Sequence, residues 1–245
     1  MNVAALVLAA GKSSRIAAIA GGRPKPLLEL GGKRLIEWNL EWLAAHGVRE
    51  AWVNLHHRAE DVRAAVGDGS HCGVRVRYVY EPTILGTAGA WRNVLGSWSG
   101  TWLVAYGDNV TRFDLEAFLE AHRRRGAAAS IALFDPSRHK NTGIAGGHVV
   151  LDESERVVEF REGEPPRPGR REYVNAGVYL LEADIGEYVG VGFQDFGRDV
   201  FPRLVSDGGV YGHVMEATGF CLGLDTPESY AVAKALVEEG EVALR

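Results

Sequence analysis

Short apolar runs recur along the first half of the chain at Val3–Ala10, Ala51–Leu55, Thr101–Tyr106 and Ala127–Phe134, and Val74–Tyr80 reads as a further strand. Their continuity predicts strands covered on both faces, as in a parallel sheet. The intervening segments carry a helical period. Leu35, Ile36, Leu40 and Leu43 fall on one face of a helix over Arg34–His46, and Gly47 stands at its C-cap position. Further helices are predicted over Ala59–Val66, over Leu85–Leu95 entered through Gly86-Thr87, and from an Asp114 cap to about Arg125. Strand and helix alternate, which predicts a parallel sheet with crossover helices.

Beyond about residue 136 the pattern changes. Val149–Leu151, Val157–Phe160 and Val174–Leu181 are strand-like and separated by polar turns, and Gly163–Arg171 has the proline, glycine and arginine content of a mobile loop. Phe196–Val205 and Pro227–Val237 read as helices, the second entered by Asp225-Thr226-Pro227. The predicted architecture is α/β: a Rossmann-like, doubly wound, mostly parallel sheet with helices on both faces and an inserted β region. We expect a single domain over 1–245, whose pattern changes between 1–135 and 136–245.

Composition narrows the ligands. With 27 basic and 32 acidic residues the net charge is -5, so no global attraction to nucleic acid or anionic membrane is expected and any anion must be met locally. Cys72 and Cys221 are distant and lack CxxC spacing, which argues against a disulfide scaffold or zinc site and for a reduced, cytoplasmic compartment. Neither a secretion signal nor a membrane-spanning run is expected.

The first strand ends at Gly11 and runs into Lys12, Ser13, Ser14 and Arg15. A glycine and two serines let backbone N–H groups approach an anion, and a guanidinium fork suits phosphate oxygens. Arg23-Pro24-Lys25-Pro26 sets a further cation between two prolines, on a backbone they stiffen. Asp108, in Tyr106-Gly107-Asp108-Asn109, follows an apolar strand, where ligands of open α/β sheets gather. Each of these groups has a plainer reading as a solvated surface charge or turn residue. The pair His56-His57 lacks a carboxylate at metal spacing, and Cys221 reads as a small buried hydrophobe. Trp38, Trp42 and Trp52 are equally explained by core packing or by a subunit interface, so a homo-oligomer is left open.

The ordered series Leu8, Gly11, Arg15, Pro24-Lys25-Pro26, Gly31-Gly32-Lys33 and Leu35-Ile36-Glu37 closely resembles the sugar-1-phosphate nucleotidyltransferases. The resemblance implies a GT-A-like nucleotidyltransferase fold, with 1–135 as its nucleotide-binding half and 136–245 as its sugar-phosphate-binding half. It also implies a reaction in which a nucleoside triphosphate and a sugar 1-phosphate give a nucleotide sugar and pyrophosphate with Mg²⁺ or another divalent cation. On this resemblance Leu8, Ala9, Ala10, Gly11, Lys12, Ser13 and Ser14 bind nucleotide, although Ser13 stands where most members have glycine. Arg15 would stabilise the triphosphate, and Lys25 would bridge the reacting phosphates; Lys25→Ala is expected to abolish most turnover. Asp108 would be a metal ligand. Asp225 is either the second ligand, displaced two residues from the family position now held by Gly223, or the cap of the last helix; the following Thr-Pro-Glu favours the cap.

Glu81, Gly86 and Thr87 match the base-binding loop, and Leu85-Gly86-Thr87-Ala88-Gly89 leans towards guanosine. Asn109, Gly143, Glu159 and Asn175 fall in segments resembling those that meet the sugar. The lysine that grips the sugar phosphate is replaced by Gly163, so Arg161, Arg167, Arg170 or Arg171 would supply the charge. These departures keep two alternatives open: a non-sugar acceptor such as phosphocholine or a phosphonate, and a catalytically weakened homologue that binds nucleotide sugars. A nicotinamide-dependent oxidoreductase is excluded, because the loop lacks the dinucleotide glycine pattern.

Overall fold

A computed structural model describes residues 2–11, 14–143 and 146–244. In chain order its main elements are β1 (Val3–Leu8), α1 (Leu35–Ala45), β2 (Glu50–Leu55), α2 (Ala59–Val66), β3 (Arg75–Tyr80), α3 (Gly86–Val94), β4 (Thr101–Tyr106), β5 (Asn109–Arg112) and α4 (Leu115–Arg125). There follow β6 (Ala129–Phe134), β7 (His148–Leu151), β8 (Val157–Arg161), β9 (Tyr173–Leu181), α5 (Phe201–Asp207), β10 (Val210–Val214), β11 (Phe220–Gly223) and α6 (Pro227–Glu238). Among the described residues no helix is long and apolar enough to cross a membrane.

Among the described residues the central sheet has nine strands. One path runs β8-β7-β9-β4-β1-β2-β3, and β6 pairs with β9 and with β10. The strands β4, β1, β2 and β3 are mutually parallel, whereas β9 runs antiparallel to β4, β6 and β7. The chain builds outward from β1 to β3, then crosses to the other side of β1 to lay down β4. The crevice beyond the carboxyl ends of β1 and β4 is therefore the topological switch point, where ligands of such sheets bind.

Alternation along β1 explains its unbroken apolar run. Val3, Ala5 and Val7 face a layer containing Ile36, Leu40 and Leu43 of α1, with Val62 of α2 and Phe118 of α4. Ala4 and Leu6 face the other layer, with Trp91 of α3, Trp102, Tyr179 and Phe201. Successive side chains point to opposite faces, and here both faces are covered. A third apolar cluster joins Leu28, Leu35 and Trp38 to Leu222, Leu224 and Ala233 from the end of the chain. Trp38, Trp42 and Trp52 are all buried, so packing within this chain accounts for them.

A small second sheet matters more for the site than its size implies. β11 lies between β5 and Lys140–Asn141, antiparallel to β5, with Gly223 opposite Asn109. That register brings the residues just after β11 beside those just before β5, and so Asp225 beside Asp108. The strands β5, β10 and β11 were not expected from periodicity. The expected Phe196–Val205 helix is instead a π-helical turn, Phe196–Val200, that leads into α5. Segment 163–171 has no regular structure, as its composition predicts, but ion pairs of Arg167 and Arg170 with Glu159 and of Glu164 with Arg161 anchor it.

Candidate active site

Three strand ends are tied together at the switch point. The Ala9 N–H donates to Asn54 Oδ1 at 2.7 Å, and Asn54 Nδ2 donates to Glu81 Oε1 at 2.8 Å. Glu81 Oε2 accepts from the Leu85 N–H at 3.0 Å, and the residue is 1% exposed. Ala9 thus spends its amide on the scaffold. A cavity of about 190 Å³ opens beside this knot, with Leu8, Ala10, Gly11, Glu81, Gly86 and Thr87 on its wall. Asn54, Tyr106, Asp108 and Asp195 also line it. Lys12 and Ser13 lie outside the described residues, and Ser14 begins a short 3-10 turn with Arg15 and Ile16.

The start of α3 is clamped from across the chain. Ala88 and Gly89 donate their N–H groups to the Gln194 carbonyl at 3.0 and 3.1 Å, and Thr87 Oγ1 donates to Asp195 Oδ2 at 3.1 Å. Gly86 has φ +76°, and a Cβ there would come within 2.4 Å of the Gln194 carbonyl oxygen. Only glycine satisfies both conditions.

Lys25 lies in a 3-10 turn after Pro24 and is only 5% exposed. Its ammonium donates to Asp108 Oδ2 at 2.9 Å and to Asp225 Oδ1 at 2.6 Å, while Arg15 Nη2 approaches the same Asp225 oxygen at 3.3 Å. Burial works against the charge on Lys25, but the two carboxylates outweigh it and hold the ammonium above its ordinary pKa. The expectation that Asp225 caps the last helix is corrected. Thr226 is the cap: its hydroxyl accepts from the Ser229 N–H, and the Ser229 hydroxyl accepts from the Thr226 N–H. A reciprocal cap satisfies the helix start, so the Asp225 carboxylate is left to turn towards Lys25.

On the other side of the cleft, Asn175 Nδ2 donates to the Tyr179 hydroxyl at 2.8 Å, which donates to the Tyr106 hydroxyl at 3.2 Å. Asn175 Oδ1 accepts from the Gly177 N–H at 2.9 Å, inside the irregularity of β9 between Asn175 and Tyr179. Burial pushes both phenols far above their ordinary pKa. The Asn109 carbonyl accepts from Asn39 Nδ2 at 2.8 Å, which pins the turn that carries Asp108. Gly143 has φ +72° and donates its N–H to Asn141 Oδ1 at 3.0 Å. The preceding Thr142 hydroxyl donates to the Gly223 carbonyl and accepts from its N–H, at 2.7 and 2.8 Å.

Glu159 and Arg161 lie on β8. They share one face of β8, where Glu159 pairs with Arg161, Arg167 and Arg170 at 3.2, 2.7 and 2.6 Å. Arg161 also pairs with Glu164 at 3.0 Å and with Glu172. Arg171 stacks over Tyr173 and lies 4.0 Å from Asp135. These guanidiniums are engaged by carboxylates or aromatics of their own region. Glu162, the residue just after β8, lies against Gly147 and Gly197, where an added Cβ would come within 2.6 and 2.5 Å of its Oε2. Burial, and then the charge of Asp195, push the Glu162 carboxyl up to about 6, against the opposing pull of Arg198. Glu162, Asp195, Asn54 and Asn39 escaped sequence reading.

A sheet whose switch point gathers a glycine turn, two cations and two carboxylates belongs to the class of phosphate-handling α/β proteins. The nucleotidyl transferase family model matches residues 4–238, and the chain belongs to that family. It is 30% identical over 217 residues to a UTP–glucose-1-phosphate uridylyltransferase of Synechocystis, covering 83% of this chain and 55% of the relative. It is 31% identical over 246 residues to a mannose-1-phosphate guanylyltransferase of Mycobacterium tuberculosis, covering 98% and 66%. The chain therefore spans between about half and two-thirds of the length of these relatives, which by name are sugar-1-phosphate nucleotidyltransferases of differing base and sugar. In fold it is similar to HddC from Yersinia pseudotuberculosis, crystallised with GMP-PN, at a TM-score of 0.78 and 22% identity over 97% of this chain and 100% of that one. A Bacillus anthracis protein crystallised with sucrose gives a TM-score of 0.82 at 21% identity, covering 97% and 96%.

Proposed function

We propose that this chain transfers a nucleoside monophosphate from a nucleoside triphosphate to a sugar 1-phosphate, releasing pyrophosphate. The observation that carries the reading is the buried Lys25 ammonium held between Asp108 and Asp225 at the switch point of the sheet. In the reading, residues 1–135 handle nucleotide and 136–245 supply most of the acceptor side within one domain. Asp225 reaches back to the nucleotide side through the pairing of β11 with β5.

Nucleotidyl transfer needs positioning and charge neutralisation more than acid–base chemistry, because a phosphate dianion is already a nucleophile near neutral pH. The base enters the cavity lined by Leu8, Gly86 and Thr87, against the surface shaped by Glu81 and Asn54. Gly11 and the residues after it meet the triphosphate, with Arg15, 70% exposed at its side chain, free to fold over the phosphates. Lys25 neutralises charge that builds between the attacking and leaving oxygens. Asn175, Glu162 and Asp195 offer hydrogen-bond acceptors to sugar hydroxyls. The cysteines, both buried and unpaired, support a reduced cytoplasmic setting.

Two carboxylates converging on one cation are the hard-oxygen donor set that Mg²⁺ takes alongside substrate phosphates, so the residues present fit such an ion. Asp108 and Asp225 would hold it, and it would supply Lewis-acid stabilisation of phosphate charge. A pyrophosphate-release assay over all nucleoside triphosphates and a set of sugar 1-phosphates tests the reading. The guanosine lean of Leu85–Gly89, together with the name of the Mycobacterium relative, makes GTP with mannose 1-phosphate the first pair to try. The named relatives act on sugar phosphates, which speaks against phosphocholine or a phosphonate as acceptor.

A further inference from the structure

The metal pair Asp108 and Asp225 already holds a cation. Lys25 Nζ lies 2.9 Å from one carboxylate and 2.6 Å from the other, and Arg15 stands 3.3 Å from the second. The backbone that carries Lys25 is fixed by Pro24 and Pro26, with the residue buried, so any movement of the charge must come from its four-carbon stem. Lys25 takes one oxygen of each carboxylate; a divalent ion on the remaining oxygens would sit beside the ammonium, where their mutual repulsion is as steep as the attraction each feels for a carboxylate. The two cations therefore compete for the pair.

We propose that Lys25 is a positioning residue for the metal: it holds Asp108 and Asp225 at ligand spacing before loading and yields them by cation exchange. Rigid carboxylates without a counter-ion would repel each other, and the ammonium removes that repulsion. When a divalent ion displaces it, the triphosphate offers the ammonium its phosphate oxygens. Metal and nucleotide therefore bind with positive coupling, each raising the affinity of the other equally. The nucleotide-free protein binds divalent cations weakly because its own lysine competes. This rests on the reading of Asp108 and Asp225 as the metal ligands.

The test is Mn²⁺ binding, followed by electron paramagnetic resonance of the free ion, with no turnover involved. Wild type is compared with Lys25→Met, which keeps the length and removes the charge, and with Lys25→Arg, which keeps the charge; circular dichroism checks the fold of each. Without nucleotide, Lys25→Met is expected to bind Mn²⁺ at least about tenfold more tightly than wild type, and Lys25→Arg close to wild type. A non-hydrolysable triphosphate analogue should narrow the gap by strengthening wild type. Folded Lys25→Met binding Mn²⁺ no better than wild type would overturn the exchange. If Asp108→Asn and Asp225→Asn leave nucleotide-dependent Mn²⁺ binding intact in wild-type background, the ligand reading itself falls, and the exchange with it.

Discussion

Glu162 shows what a single residue contributes and how it escapes a reader of the sequence. The resemblance implied Glu159, which β8 sets among Arg161, Arg167 and Arg170. Just past the end of that strand lies Glu162, on the side of Asp195. Its carboxyl, raised from 4.5 to about 6, binds a proton more readily in the folded state. The associated stability is fully present below about pH 4.5 and is lost as pH rises through about 6. Glu162→Gln, neutral at every pH, should match wild type near pH 4. At pH 8 it should be more stable by about 1 kcal/mol, the shift being discounted for partial exposure; paired denaturant titrations at the two pH values measure this. The same substitution should raise KM for the sugar phosphate more than for the nucleotide. At Lys25 the expected outcome is a fall in kcat of about 10²–10³ for Lys25→Met, the scale of losing one group aimed at developing charge, with a cooperative unfolding transition retained.

The elements carry the two carboxylates to one point. Asp108 follows β4, as its apolar run predicted, but Asp225 arrives through β11, a four-residue strand whose existence depends on pairing with β5. Short strands such as β5 and β11 have too few residues to show a period, and their partners lie about a hundred residues away in sequence. The long apolar strands β1, β2, β4 and β6 and the amphipathic α1, α2 and α4 were legible because each is covered by its neighbours and repeats its own pattern. The cap was misread at one position for a related reason: Asp225 and Thr226 are both good capping residues, and only the backbone shows Thr226 bonded to Ser229. Thr226→Ala should therefore cost about 1 kcal/mol, or a fall in Tm of about 2–4 °C. Asp225→Asn should cost less stability while losing most turnover. Thermal melts and initial rates on both variants distinguish a cap from a site residue.

At the scale of the molecule, both halves of the chain contribute to each face of the central sheet. The layer around Val3, Ala5 and Val7 includes Val174, Val178 and Cys221, and the layer around Leu6 includes Phe160 and Phe201. The proposed nucleotide site spans that shared core: α3 opens against Gln194 and Asp195, and Lys25 meets Asp225. Nucleotide should accordingly stabilise the whole fold. A triphosphate present with Mg²⁺ at about 100 times its Kd adds about 2.7 kcal/mol by mass action, a rise in Tm of roughly 5–10 °C. A thermal-shift series over the four triphosphates should show this rise for the cognate base and a smaller one for the rest.

The central claim is that the paired carboxylates and cations at the switch point perform nucleotidyl transfer to a sugar 1-phosphate. Its most direct test is pyrophosphate release by the folded wild-type protein with Mg²⁺ across the matrix of nucleoside triphosphates and sugar 1-phosphates. The account predicts turnover with at least one pair, dependent on both substrates and on the divalent cation, and lost in Lys25→Met. Folded protein that binds nucleotide sugar yet releases no pyrophosphate with any pair would contradict it, and would make the chain a nucleotide-sugar-binding relative of its family.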